Sequence, residues 1–404
     1  MQIKYFCHET EWKNIKQLTE CLPTPFILID KSKILRNFKE LASCFNYGKI
    51  YYAMKANPDK EILSLLDKLG SYFDFASIYE LRELLTLGIS PKRLSFGNTI
   101  KKVSAIKYAF EQGVRDFVTD SENDLINLSK YAPGSNIFVR ILVEGSQTAE
   151  WPLSRKFGCQ PDMSLELLEK AIELGLNPVG VSFHVGSQQH DIGSWDSAIA
   201  KVKYIFDWIK KKNGIELKRI NIGGGFPTDY NRRTNSLDLY ASEIKRYLDE
   251  DFGKNLPEIW LEPGRALVGN AGVLVSEIVL VSRKSKTSLN RWIYLDAGMF
   301  NGLIETIGEC IKYPVYTAKD DFPEKEEAVL AGPTCDSMDV MYEDQMYSLP
   351  LNLVEGDKVY WFSTGAYTQS YASVNFNGFP SIKAYVMKDF SVESFNKLNI
   401  ERGA

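Results

Sequence analysis

Between Phe26 and Phe226 the chain alternates short apolar runs, rich in β-branched and aromatic residues, with longer amphipathic stretches. FILID (26–30), IYYAMK (50–55), YFDFAS (72–77), RLSFGN (93–98), DFVTDS (116–121), IFVRIL (137–142), VGVSFHV (179–185) and INIGGG (220–225) read as strands, because runs this short and this apolar suit strands covered on both faces. The stretches between them, such as KEILSLLDKLG and IYELRELLTLG, have helical spacing and stop on a glycine. Repeated strand–helix units predict a parallel sheet with right-handed crossovers. Eight such units predict an α/β fold of the (β/α)8 barrel type, with a doubly wound open sheet as the alternative. After Arg265 the pattern changes: VLVSEIVLVSRK, RWIYLDAG, EAVLAGP, DKVYWFST and IKAYVM follow one another with few helices and predict a C-terminal all-β domain. The expected organisation is a barrel over 25–270 and a β domain over 271–404, with residues 1–24 able to pack with the latter.

Composition narrows the class. At 404 residues, 44% hydrophobic and 25% charged, the chain can bury two ordinary cores without disulfides or metal. A formal net charge of -4 argues against a nucleic-acid partner, which needs a basic face. None of the six cysteines forms a C-x-x-C pair, and three histidines leave little for a multi-histidine metal site. The opening MQIKYFCHETEWK lacks the apolar segment of a signal peptide. The most apolar stretch, Ala266 to Val281, is interrupted by Asn270, Ser276 and Glu277 and is too short for a membrane span. The expectation is a reduced, cytoplasmic protein with no metal and no membrane partner.

Barrel active sites sit at the C-terminal ends of the strands, so the residues ending each predicted strand carry the candidate chemistry. Lys55 closes the second, Asp74 lies in the third, Arg140 is late in the sixth, His184 ends the seventh and Gly223-Gly224-Gly225 end the eighth. An amine desolvated in an apolar strand is available as a nucleophile toward aldehydes; the same lysine could equally snorkel at a strand end. Glycines let backbone N–H groups close around a phosphate, or make a tight turn. His184 suits stacking on a flat cofactor or a hydrogen-bonded core position. In EPGR, Glu262 could pair with a cationic ring nitrogen and Arg265 could hold a phosphate, or the two could form a local ion pair. Cys335 and Asp336 stand in the turn AGPTCDSMD, and GAYTQSYASVNFNGFP combines polar, glycine and aromatic residues as binding loops do.

Together, YYAMKAN, FDFAS, FHVGSQ, NIGGGFP, EPGR, GPTCDSMD and GAYT…FNGFP resemble the fold-type III decarboxylases that depend on pyridoxal 5'-phosphate (PLP), from about Pro23 to Pro380. The series is most similar to the ornithine/lysine decarboxylase branch, in its short bacterial form; diaminopimelate decarboxylases share the barrel motifs only. The resemblance implies that Lys55 carries PLP as a Schiff base, His184 stacks on its ring and Glu262 pairs with the ring nitrogen. Ser187, Gly223, Gly224, Gly225, Arg265 and Tyr367 would hold the phosphate, with Asp74 and Arg140 lining the pocket near Lys55. Cys335 would protonate the carbanion, and Asp336, Tyr313 and Phe376 would meet the substrate. In this family those loops act on the partner subunit's cofactor, which implies a head-to-tail homodimer with shared sites, Lys156 and Asp339 pairing across it.

One departure bears on the substrate. Where eukaryotic members of the branch carry a tyrosine followed by an aspartate, this chain has Tyr313-Pro314, which leaves Asp336 as the one clear carboxylate for a distal ammonium. L-Ornithine, decarboxylated to putrescine for polyamine synthesis, is the leading substrate. An Nδ-acylated ornithine such as N-citrylornithine, used in siderophore synthesis, is the alternative. Lysine or diaminopimelate decarboxylation, a PLP-free regulator and an amino-acid racemase rank below these.

Overall fold

The computed structural model describes residues 3–144, 148–151 and 156–402. It divides into two compact units: Asn37–Pro227 with Thr234–Ala266, and Met1–Arg36 with Thr228–Arg233 and Leu267–Ala404.

The first unit is a closed barrel of eight parallel strands: Gly48–Ala53, Tyr72–Phe75, Leu94–Phe96, Asp116–Thr119, Asn136–Arg140, Asn177–Ser182, Arg219–Asn221 and Glu258–Leu261. The last closes on the first, Ile259 opposite Gly48 and Leu261 opposite Ile50. Helices between them form as their sequences dictate. Asp59 caps Lys60–Lys68 by accepting the Glu61 N–H, and Ser77 caps Ile78–Thr86 by accepting the Glu80 N–H. The barrel interior is plugged by Tyr51, Val118, Phe138, Val179 and Trp260. Tyr51 stacks on Trp260 at 4.0 Å and Phe138 lies 4.7 Å from the same indole. Burying a side chain of this size stabilises by roughly 1.5–3 kcal/mol, so the plug makes a packed floor beneath any site at the strand ends.

FILID is the correction. Phe26–Asp30 was expected as the first barrel strand. Instead it pairs antiparallel with Gly272–Arg283 and parallel with Lys383–Met387 in the β unit. Glu258–Leu261 takes the eighth barrel place. All five residues of FILID are buried, and a strand covered on both faces has the same apolar pattern in a barrel wall as in a sandwiched sheet.

The β unit is built on an eight-stranded sheet. Its main path runs Val315–Thr317, Lys358–Phe362, Gly272–Arg283, Arg291–Leu295, Lys325–Ala331 and Val340–Pro350. Its core joins Phe26, Leu28, Val273, Val275, Tyr360, Phe362, Tyr385 and Met387 to Ile15 and Leu18 of helix Glu9–Thr19. Val340–Pro350 escaped the hydrophobic pattern because Glu343, Asp344 and Gln345 interrupt it. Their three consecutive N–H groups all donate to the Glu309 carboxylate at 2.7 Å, which holds the charged kink in the strand. Among the described residues no helix is long and apolar enough to cross a membrane.

Candidate active site

In a closed parallel barrel every strand delivers its C-terminal end to one mouth. The candidates follow six of those ends. Lys55 stands in the single turn Met54–Ala56 after the first strand, Asp74 within the second, and Arg140 last in Asn136–Arg140. His184 comes two residues after Ser182, Gly223–Gly225 follow Asn221, and Glu262 and Arg265 follow Leu261.

Lys55 Nζ lies 3.6 Å from Asp74 Oδ2, the lysine side chain 46% exposed and the aspartate 5%. The expected apolar burial of Lys55 is therefore corrected: the turn lifts the amine out of the strand wall, and its near partner is a carboxylate. Burial pushes the Asp74 carboxyl well above its usual range, Glu262 adds to the rise, and Lys55 and Arg140 oppose it. Asp74 Oδ1 has no hydrogen-bond partner among the described residues. It occupies space left by Gly97, where a Cβ would overlap the carboxylate. Arg140 is half-buried, its guanidinium 5.1 Å from the Phe157 ring; burial lowers its pKa, while Glu262, Asp74 and Asp120 raise it.

His184 accepts the Gly186 N–H at Nδ1, at 3.0 Å. A backbone N–H can only donate, so the proton of the neutral ring sits on Nε2. Burial first, then the cations Arg140 and Lys55, hold this imidazole well below its ordinary range, so it is neutral at physiological pH. The Gly223–Gly225 loop packs close against it. Gly223 and Gly225 have φ of +67° and +100°, and a Cβ on Gly224 would stand 2.6 Å from the Glu262 carbonyl and 3.1 Å from His184 Nε2. Only glycine fits there. A Cβ on Gly225 would meet the Gly186 carbonyl at 2.6 Å. The next residue, Ser187, accepts from Arg265 Nε and Nη2 at 3.2 and 3.1 Å. Arg265 is 3% exposed. A buried guanidinium, a hydroxyl and a glycine loop in one neighbourhood suit a phosphate.

Two residues the sequence reading passed over belong here. Asn221 Nδ2 donates to Glu262 Oε1 at 2.6 Å, while its Oδ1 accepts the Gly223 N–H at 2.9 Å. It lies inside the NIGGG motif, next to the glycines that drew attention. The buried Lys101 pairs with Asp124 at 2.7 Å and donates to the carbonyls of Asn98 and Val118, tying two strand ends together. Only its position after FGN hinted at it.

The β-unit candidates fall in different settings. Cys335 and Asp336 are exposed; the Cys335 N–H donates to Asn377 Oδ1 at 2.8 Å, joining this loop to the FNGF turn, and Asp336 Oδ1 accepts the Met338 N–H at 2.9 Å. Phe376 is 40% exposed and 5.6 Å from the Phe300 ring. Tyr367 holds a φ of +55°, a strained conformation for a tyrosine. Tyr313, expected at the substrate, is corrected: it is fully buried, edge-on to Tyr230 at 5.3 Å, its carbonyl accepting from Tyr347 Oη at 2.5 Å. Asp339, expected as a dimer contact, is 2% exposed, and its carboxylate accepts from Met299 N, Thr334 N and Thr334 Oγ1 at 2.8, 3.0 and 2.7 Å. Within this chain it organises the cysteine loop. Lys156 is exposed, 5.2 Å from the Phe157 ring.

Comparison with known proteins shows the family. Residues 31–269 match the family model for the pyridoxal-binding domain of pyridoxal-dependent decarboxylases. The chain is 32% identical over 379 residues to the lysine/ornithine decarboxylase of Selenomonas ruminantium, covering 93% of both. It is 34% identical over 339 residues to the ornithine decarboxylase of Schizosaccharomyces pombe, covering 81% of this chain and 75% of the relative. The crystal structure of SrLDC in complex with PLP and cadaverine superposes with a TM-score of 0.85 at 30% identity, covering 98% of each chain. The orphaned Asp74 oxygen, the glycine loop that admits no Cβ and the buried Arg265–Ser187 pair fit PLP. By its fold, its strand-end lysine and its matches, the chain belongs to the pyridoxal-dependent decarboxylases, as a PLP-dependent amino-acid decarboxylase.

Proposed function

We propose that this enzyme decarboxylates L-ornithine to putrescine and CO2, in polyamine synthesis. The observation that carries the reading is the exposed Cys335-Asp336 pair on a loop clamped by Asn377 and Asp339, in a chain whose relatives are named lysine/ornithine and ornithine decarboxylases.

Bound at Lys55, PLP supplies a ring that takes up the electron pair left when the α-carboxylate departs as CO2. The chain's own groups do the rest. Glu262, held by Asn221, keeps a proton at the ring nitrogen. Neutral His184 offers its ring face without adding a competing positive charge. Arg265, Ser187 and the Gly223–Gly225 loop hold the phosphate. Asp74 accepts from the Lys55 amine and fixes its direction. Cys335 Sγ delivers a proton to Cα, and Asp336 binds the distal ammonium. The exposure of both supports their action on a second copy's barrel, in a head-to-tail homodimer.

Two assays test this. Release of CO2 from L-ornithine should saturate; saturation only with an Nδ-acylated ornithine would replace the substrate. That second reading is favoured by the lack of a carboxylate at Pro314, which leaves Asp336 alone for a distal ammonium. Mixing Lys55→Ala with Cys335→Ala protein should restore about a quarter of wild-type activity, because half the reassorted dimers hold one intact site of two. No recovery would rule out shared sites.

A further inference from the structure

We infer that Asn221 is a positioning residue: it sets the place of Glu262 and couples that carboxylate to the phosphate loop. The inference deepens the reading of Glu262 as the partner of the PLP ring nitrogen and rests on it.

The hydrogen bonds leave the Asn221 amide one orientation. The Gly223 N–H can only donate, so the group 2.9 Å from it is Oδ1. The NH2 is thereby turned to Glu262 Oε1, 2.6 Å away. An amide nitrogen donates and does not accept, so Glu262 Oε1 is the acceptor and the direction of this bond is fixed. Asn221 is 1% exposed, so water does not substitute for it. The backbone completes a ring: the Glu262 N–H donates to the Gly223 carbonyl at 2.8 Å. Glu262 and Gly223 are thus tied twice, once through the main chain and once through the asparagine. A shift in the glycine loop must move the carboxylate, and the two ends of the cofactor are held as one rigid piece.

The test uses apoenzyme of wild type, Asn221→Asp and Asn221→Leu, titrated with PLP and followed by cofactor absorbance, with apoenzyme melting as a control. Asn221→Asp keeps the acceptor for Gly223 but loses the N–H that holds Glu262, and PLP affinity should fall by about ten-fold or more. Asn221→Leu removes both contacts and should weaken PLP binding about ten-fold or more. An Asn221→Asp protein that binds PLP within about two-fold of wild type would overturn the inference. So would an Asn221→Leu protein that melts like wild type and binds PLP within about two-fold of it. Where Asn221→Leu melts far lower, Asn221→Asp alone decides. If wild type itself gained no absorbance band with PLP, the cofactor reading would fail, and that outcome is distinct from these.

Discussion

The two units answer the same question in opposite ways. In the barrel unit, Lys55, Asp74, Arg140, His184, Glu262 and Arg265 come from strands scattered over more than two hundred residues of sequence, and the closed parallel sheet brings their ends to one mouth. In the β unit, the candidates lie in four unlike places. Cys335 and Asp336 are on an exposed loop, Phe376 is half out of a turn, Tyr367 is on strained backbone and Tyr313 is in the core. A parallel barrel forces convergence because all its strands point one way. A mixed sheet has loops at both ends and no such rule. The barrel unit therefore gathers its candidates, whereas the β unit leaves its own apart, some exposed and some buried.

The sharpest way to break this contrast is to remove each unit's key group. Lys55→Ala should cost at least about a thousand-fold in turnover and abolish the cofactor absorbance band, since it removes the amine that would carry the cofactor. Cys335→Ala should keep the absorbance band yet lose on the order of a hundred-fold in amine formation, with an aldehyde by-product detectable by mass spectrometry. An equal loss of the band in both variants would erase the division of labour.

Asp339→Ala tests whether the β-unit loop is a built device. Removing a buried acceptor of three hydrogen bonds should destabilise by about 3 kcal/mol in urea unfolding. It should lower turnover as Cys335→Ala does while leaving PLP affinity unchanged. A cofactor defect instead would place Asp339 in the barrel's work.

His184 offers a pH test confined to the barrel. Its folded pKa lies below the ordinary 6.5 because of burial and nearby cations. Between those two values the unfolded chain binds more protons, so apoenzyme stability should rise with pH through that window and be lost as pH falls below about 6.5, by up to about 1.4 kcal/mol per unit. His184→Phe should flatten this limb. The smallest effect belongs to Tyr313→Phe: a core tyrosine should alter KM by less than about two-fold and stability by about 1 kcal/mol or less. A large KM change would restore Tyr313 to the substrate site.

Much of the barrel site was legible because its signals are local. A lysine after YYAM, a histidine after VSF and three glycines after INI interrupt apolar runs at strand ends, where interruption is costly unless used. What escaped was contact chemistry. Asn221 shares a motif with the glycines, but its role depends on Glu262, 41 residues on. Gly97 reads as a turn glycine until Asp74 is seen beside it. In the β unit, Tyr313 and Asp339 are polar residues on predicted loops, and nothing in their spacing distinguishes an exposed side chain from one folded inward.

By itself the sequence determined the alternation of strands and helices, the change to a β pattern after Arg265, and the order of the candidate site groups along the chain. Each of these is written in short-range periodicity and motif spacing. Only the tertiary structure decided which sheet takes FILID, which strand closes the barrel, and which polar groups are spent within the chain. Strand pairing and burial are long-range choices: a fully covered strand has the same pattern in either sheet, and a carboxylate shows whether it is offered or consumed only once its donors are in place.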